Sequence, residues 1–141
     1  GGESVTTISQ WMAGGSQDGY VSQAIYTIVS GVPASRVITA VTSPVIPASS
    51  ALALYNTAVS ETLTNGTTYN SAFVYSSGGA TLIGYDSGTG SNRSTHNTNG
   101  ALPSTWTSSG TSSTRYSIYA TYTASGGGTP ADIGTFNVYD E

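Results

Sequence analysis

The stretch YVSQAIYTIVS, residues 20–30, decides the fold class because apolar residues recur on both sides of an extended chain. Successive side chains of a strand point to opposite faces of the sheet. One face carries Tyr20, Ala24, Tyr26 and Ile28, and the other carries Val21, Ile25 and Val29. A strand that is apolar on both sides is predicted to be covered on both sides, as in the interior of a layered β-protein.

Similar short segments, rich in tyrosine, valine and isoleucine, lie on either side and are separated by clusters of glycine, serine, asparagine or proline. This punctuation predicts strands rather than helices. The predicted strands are residues 36–42, 51–56, 69–77, 80–86, 114–124 and 132–139. Gly78-Gly79 predicts a hairpin between residues 69–77 and 80–86.

The pattern predicts an all-β fold, namely a single antiparallel β-sandwich of jelly-roll or immunoglobulin-like type with seven to nine strands. The domain spans residues 1–141, a length that suits one hydrophobic core rather than two. The side chains expected to be buried are Val29, Ile38, Val41, Leu54, Phe73, Val74, Leu82, Ile118, Phe136 and Val138.

Charged residues make up only 7% of the chain, and the formal net charge is −4. The three basic residues are Arg36, Arg93 and Arg115. Nucleic-acid binding requires several cations on one face, so nucleic acid is excluded as a partner. The absence of lysine and cysteine excludes lysine Schiff bases, thiol nucleophiles and disulfides. No apolar run approaches the roughly 20 residues that cross a bilayer, so membrane insertion is not expected.

Neutral polar residues take the place of the missing charges. Serine and threonine together make up roughly a third of the chain, beside 18 glycines and 10 tyrosines. A β-domain with such hydroxyl-rich faces is expected at an extracellular or virion surface. The chain opens Gly1-Gly2-Glu3 without a methionine or a basic-then-apolar leader, which predicts a processed product or an excised segment.

The sequence gives weak support for catalysis. His96 lies beside Ser94 in a glycine- and asparagine-rich stretch, and no Gly-x-Ser-x-Gly motif accompanies it. Several acids occupy predicted turns or the terminus, namely Asp18, Asp132, Asp140 and Glu141. A glycoside-acting enzyme with paired carboxylates is therefore only the third hypothesis. Residues 86–92 lack the spacing of an EF-hand, so no metal, cofactor or catalytic residue is assigned.

Glycan binding is a stronger alternative, because one stretch combines aromatic rings with hydrogen-bonding side chains. The candidate glycan-binding residues are Tyr85, Asp86, Asn92, Arg93, His96, Asn97 and Trp106. The competing interpretation is that Tyr85 and Trp106 close one end of the core while the asparagines support turns.

The N-terminal segment, residues 1–15, has two interpretations. Residues 4–12 are strand-prone, and Gly14-Gly15 follows them as a hinge. The segment could be an extended arm that pairs with a neighbouring subunit through Val5, Ile8, Trp11 and Met12. Alternatively, it is the ordinary first strand of the same domain.

In composition the chain resembles phage decoration and tail proteins and donor-strand-linked pilus subunits, although it carries no diagnostic motif of any family. The resemblance implies a non-catalytic structural subunit of a virion or an extracellular appendage. Its partners would be copies of itself or a neighbouring capsid or appendage subunit, joined through neutral β-rich contacts. The alternative function is a carbohydrate-binding domain that recognises a cell-surface glycan.

Overall fold

The computed structural model describes residues 2–38, 41–75, 81–87, 102–107, 114–123 and 132–135. Strands take up about two-thirds of these residues and no helix occurs among them, so the all-β prediction is confirmed. The strands are β1 (Gly2–Gly14), β2 (Val21–Val29), β3 (Val32–Arg36), β4 (Val41–Thr42), β5 (Ala53–Thr64), β6 (Thr68–Tyr75), β7 (Thr81–Ile83), β8 (Tyr85–Ser87), β9 (Thr114–Tyr116), β10 (Ile118–Thr123) and β11 (Asp132–Thr135).

The strands form two main sheets, as a β-sandwich requires. The first sheet has the order β10-β1-β5, and β7 pairs with the end of β1. The second has the order β11-β6-β2-β3, and β4 pairs with β2. Strands β8 and β9 form a separate two-stranded ribbon. Pairing is antiparallel throughout these strands except between β11 and β6, which run parallel.

The core lies between the inward faces of the two sheets. The first sheet contributes Val5, Ile8 and Met12 from β1, all with no exposed surface. The second contributes alternate residues of β2 and β6, including Ile25 and Phe73. The buried members of this inner cluster are Val5, Ile8, Met12, Val21, Ile25, Ile38, Ile46, Leu63, Tyr69, Phe73, Tyr116 and Ile118.

Residues 4–12 belong to β1, which corrects the interpretation of the N-terminal segment as an extended arm. Strand β1 pairs with β10 on one side and β5 on the other, so it is the middle strand of its sheet. Val5, Ile8 and Met12 are buried in the domain's own core. The structure therefore supports the alternative, an ordinary first strand, because these apolar side chains are already covered within one chain.

Two glutamines connect the sheets inside the core. The Nε2 atom of Gln23 on β2 donates a hydrogen bond of 2.9 Å to Oε1 of Gln10 on β1. Neither residue has any exposed surface. Because a buried amide without a partner costs about 1–3 kcal/mol, this bond favours the one alignment of the sheets in which the two side chains meet.

Two turns show why the chain reverses where it does. Between β2 and β3, Ser30 and Gly31 have φ angles of 53° and 80°. Two consecutive residues with positive φ are the signature of a type I′ hairpin, whose twist matches that of paired strands. Between β5 and β6, Gly66 has a φ of 72°, and Thr67 N donates to Thr64 O at 3.3 Å. This second turn carries the chain from the first sheet to the second.

Two predicted strands, residues 80–86 and 114–124, are each divided in two, and β3 lies mostly before the predicted strand 36–42, so the described residues hold eleven strands. Residues 80–86 are interrupted at Gly84, whose amide donates to Trp11 O at 2.8 Å. A Cβ atom there would lie 2.9 Å from the Cβ of Trp11, so only glycine allows this approach.

The hairpin predicted between residues 69–77 and 80–86 is wrong, because β6 lies in the second sheet and β7 in the first. The glycine pair predicted a reversal, but the choice of pairing partner is made by tertiary contacts.

Burial confirms part of the predicted core. Ile38, Phe73, Val74 and Ile118 are buried as expected. Val29, Leu54 and Leu82 are 59%, 39% and 60% exposed, so these three predictions are wrong. Leu54 and Leu82 lie on the outward face of the first sheet, and Val29 lies beside the turn after β2. The side chains of Val41, Phe136 and Val138 lie outside the described part of the chain.

Truncating Phe73 to alanine should cost about 3–5 kcal/mol in the free energy of unfolding, because the ring is fully buried between the sheets. Its ring centroid lies 5.3 Å from that of Tyr116. The control is Leu82→Ala, at a 60% exposed position, which should change stability by less than about 1 kcal/mol. Urea unfolding of both variants tests this, and equal losses would contradict the assigned strand faces.

Candidate interaction surface

The predicted glycan-binding residues fall in different places. Tyr85 and Asp86 lie on β8, where Asp86 is in register with Arg115 of β9. Trp106 lies in the segment 102–107, far along the chain. The other predicted members, namely Asn92, Arg93, His96 and Asn97, lie outside the described residues.

Trp106 is a packing residue. It is 7% exposed and belongs to a second buried cluster. Its ring meets that of Tyr26 nearly at right angles, with centroids 5.2 Å apart. The buried members of this second cluster are Ala24, Tyr26, Ala72, Val74, Leu102 and Trp106. Its β2 and β6 members alternate with those of the inner cluster, so the second cluster covers the other face of the second sheet.

The segment Leu102–Trp106, here called the strap, is hydrogen-bonded to the second sheet. The amide of Trp106 donates to Ala34 O at 2.7 Å. Two side chains bind the strap's carbonyl groups, because Tyr26 Oη donates to Pro103 O at 2.5 Å and Arg36 Nη1 donates to Leu102 O at 2.6 Å. Burial raises the pKa of Tyr26 to about 12, and the neighbouring charge of Arg36 opposes that rise. The strap therefore closes one face and one edge of the second sheet.

Tyr85 has a different environment from Trp106. Its side chain is 65% exposed, and its ring centroid lies 6.2 Å from that of Tyr116. Tyr116 belongs to the inner cluster between the sheets. The described contacts thus place Tyr85 and Trp106 against clusters on opposite sides of the second sheet.

The outward face of the first sheet carries a group of exposed apolar side chains. Trp11 and Leu54 are directly opposite each other on β1 and β5, and each is 39% exposed. Leu52 and Trp11 both lie beside Gly84. Leu82 on β7 and Tyr119 on β10 are in register with Ala13 and Ser9 of β1. This outward apolar face consists of Trp11, Leu52, Leu54, Leu82 and Tyr119, which are 39%, 55%, 39%, 60% and 44% exposed.

The outward apolar face is uncharged. Two polar side chains, Ser9 and Asn56, lie on the same side of the sheet as its members, and Ser9 Oγ donates to Asn56 Oδ1 at 2.7 Å. Of the four residues predicted for an assembly arm, Trp11 alone points to this face. Val5, Ile8 and Met12 lie on the opposite, buried face of the strand.

Sequence reasoning missed this face although its signal was present. Alternation along β1 places Trp11 on the opposite face from its buried neighbours Ile8 and Met12. The sequence does not indicate, however, that residues 51–56 and 80–86 both lie beside β1. Cross-strand neighbours on one face are separated by about 5 Å, so a shared surface follows only once the pairing is known.

No described group of three histidine, aspartate or glutamate side chains is arranged to hold a metal ion. Within the described ranges there is also no helix with the length and apolar character needed to cross a membrane. Ser94 and His96, considered for hydrolytic chemistry, lie outside those ranges. Comparisons of the chain with protein-family models, with curated proteins and with solved structures find no match.

Replacing Tyr26 with phenylalanine should lower the free energy of unfolding by about 0.5–1.5 kcal/mol at neutral pH, because the bond to Pro103 O is lost. The raised pKa also predicts a pH effect. The protonated Tyr26 hydroxyl contributes its full stabilisation of the folded state below pH 10. This contribution is lost as the pH rises towards about 12, because the Tyr26 hydroxyl of the unfolded chain releases its proton at a lower pH than that of the folded chain.

Wild-type stability should therefore fall more steeply than that of Tyr26→Phe between pH 10 and 12, by about 2 kcal/mol at most over the interval. Denaturant unfolding at each pH measures both effects. Parallel pH profiles for the two proteins would show that the Tyr26 hydroxyl keeps an ordinary pKa.

Proposed function

We propose that this chain is a non-catalytic structural subunit of a virion or an extracellular appendage. Its partners are copies of itself or a neighbouring capsid or appendage subunit. The observation that carries the proposal is the outward apolar face, in which five large apolar or aromatic side chains share one side of a sheet. Contiguous exposed apolar surface of this kind marks interaction sites.

The chemistry of the face favours a protein surface as partner. Trp11 and Tyr119 are amphipathic aromatic residues of the type that is enriched at interfaces. None of the five members of the face is charged, so the face can be covered without leaving an unpaired carboxylate or ammonium group. Covering such a neutral surface with a similar one therefore has a small desolvation cost.

The charge of the chain is consistent with the same conclusion. With three arginines and no lysine, contacts between subunits cannot rest on ion-pair networks. Neutral contacts depend little on salt, which suits a subunit exposed to variable surroundings at an extracellular or virion surface. We also propose that the sandwich is of the jelly-roll or immunoglobulin-like type, as expected from the strand pattern.

The decisive test is self-association. Leu52→Ser combined with Leu82→Ser should weaken it at least tenfold, because both side chains are more than half exposed and removing them costs the monomer little. Val29→Ser combined with Val32→Ser is the matched control, since these exposed valines form the hairpin end of the second sheet. Sedimentation velocity over a concentration series compares wild type with both variants.

A wild-type chain that stays monomeric alone and beside its neighbouring subunits would contradict the proposal. Equal weakening by the control pair would show that the association is non-specific.

Carbohydrate binding is the second candidate, and the observation that favours it is the exposure of Tyr85. The ring is 65% exposed and is supported edge-on by Tyr116, an arrangement suited to packing against the apolar face of a sugar. Trp106, in contrast, is now assigned to packing, so its replacement would test folding rather than binding.

If the chain binds a glycan through Tyr85, Tyr85→Ala should reduce the affinity by about 1–3 kcal/mol, the range of a well-packed aromatic anchor. Tyr20→Ala, at a 46% exposed tyrosine, is the control. A glycan array followed by calorimetry on any hit measures the affinities. No binding by wild type, or equal losses in both variants, would remove Tyr85 as a glycan site.

A further inference from the structure

The edges of the two sheets differ in length and protection. Strand β3, an edge of the second sheet, has five residues and contains Pro33, which has no amide hydrogen to offer a new strand. The strap also binds this edge, because the amide of Arg36 donates to Ser104 O at 2.8 Å. The other edge of the second sheet is β11, which is only four residues long.

Strand β5 is different. It is twelve residues long, and it pairs with β1 from Thr64 at one end to Ala53 at the other, with one register shift between Glu61 and Ala58. Among the described residues no strand pairs with its second edge. Its sequence ALYNTAVSETLT contains no proline, lysine or arginine, and Glu61 is its single charge. Long edges are normally protected by prolines, charges or covering segments, because unpaired amide and carbonyl groups accept strands from other chains.

We propose that β5 pairs with β5 of a second copy of this chain, antiparallel about a twofold axis perpendicular to the sheet. This pairing would join two first sheets into one continuous sheet with the order β10-β1-β5-β5-β1-β10. The inference rests on the proposed function, since it assumes self-association, and it assigns a second surface for that association. This edge surface is separate from the outward apolar face, which is formed by side chains that project from the face of the sheet.

The charge pattern of β5 identifies a second copy as the occupant. With the axis at Val59, Glu61 lies opposite Thr57, and with the axis at Ala58 it lies opposite Tyr55. Only an axis at Glu61 itself would bring two carboxylates together. Strand β5 thus matches its own copy in length and neutrality, whereas the opposite edge strand, β10, is half as long.

The two surfaces have different consequences for assembly. An interface about a twofold axis uses the same residues on both subunits and therefore closes at a dimer. The outward apolar face remains accessible on both halves of such a dimer. Edge pairing combined with face contact would build a layer or a fibre, whereas edge pairing alone would stop at two copies.

Single cysteines on β5 test the pairing directly, because the wild-type chain contains no cysteine. Ala58→Cys, Ser60→Cys and Thr62→Cys place thiols at exposed outward positions of the strand. Directly opposed residues of antiparallel strands have Cα atoms about 4.5–5.5 Å apart, which permits a disulfide. Thr121→Cys is the control, since it is exposed on β10 at the other edge of the same sheet.

Each cysteine variant is oxidised alone and in pairwise mixtures, at a concentration at which wild type associates, and is then separated by non-reducing electrophoresis. We expect at least one β5 variant or mixture to cross-link at least tenfold more than the Thr121 variant. The best-linked pair gives the register. If wild type associates but no β5 position exceeds the control, the edge pairing is overturned and the proposed function stands.

A second measurement does not depend on thiol geometry. Ser60→Lys combined with Thr62→Lys should raise the dissociation constant of the dimer at least tenfold, while Thr121→Lys combined with Thr123→Lys leaves it unchanged. Equal effects of both pairs would overturn the assignment to β5. A wild-type chain that never self-associates would overturn the pairing, and it would also remove self-assembly from the proposed function.

Discussion

The fold depends on β1 lying in the middle of the first sheet. The strand is hydrogen-bonded to β10 and β7 along one side and to β5 along the other, so every member of that sheet is held through it. Its inward residues Val5, Ile8 and Met12 have no exposed surface. Its outward residue Trp11 supports the apolar surface on the opposite side. One strand therefore contributes both to the core and to the surface proposed for assembly.

A second constraint acts across the sandwich. The hydrogen bond from Gln23 Nε2 to Gln10 Oε1 is directional, so it forms only at the alignment of the sheets in which these two buried side chains meet. A slip of one residue in β1 would also turn Gln10 outward and bring Trp11 into the core. The amide pair and the alternation of β1 thus specify the same register, and this agreement keeps the outward apolar face outward.

The sequence predicts the positions of the strands better than it predicts which strands pair. Alternation identified β2 and β6, and for β2 it also predicted coverage on both faces, because that information is local. It did not reveal that Leu54 and Leu82 flank Trp11, because pairing between distant segments is set by tertiary contacts. Trp106 shows the same limit at the candidate site. An isolated tryptophan after a polar stretch has the same local signature whether it binds a ligand or covers a sheet, and only the contact with Tyr26 distinguishes the two.

A chain with so few charges cannot protect its edges in the usual way, because it has no lysine to place on them. The described part of the second sheet instead relies on a proline, a short strand and the strap with its bonds to Tyr26 and Arg36. These features show that unprotected edges are avoided in one half of the molecule. The long, neutral edge of β5 is therefore informative by contrast. In the described part of the chain the edges of the second sheet are closed by backbone and packing, whereas no described strand pairs with the twelve-residue edge of β5, and the proposed pairing with a second copy explains this difference.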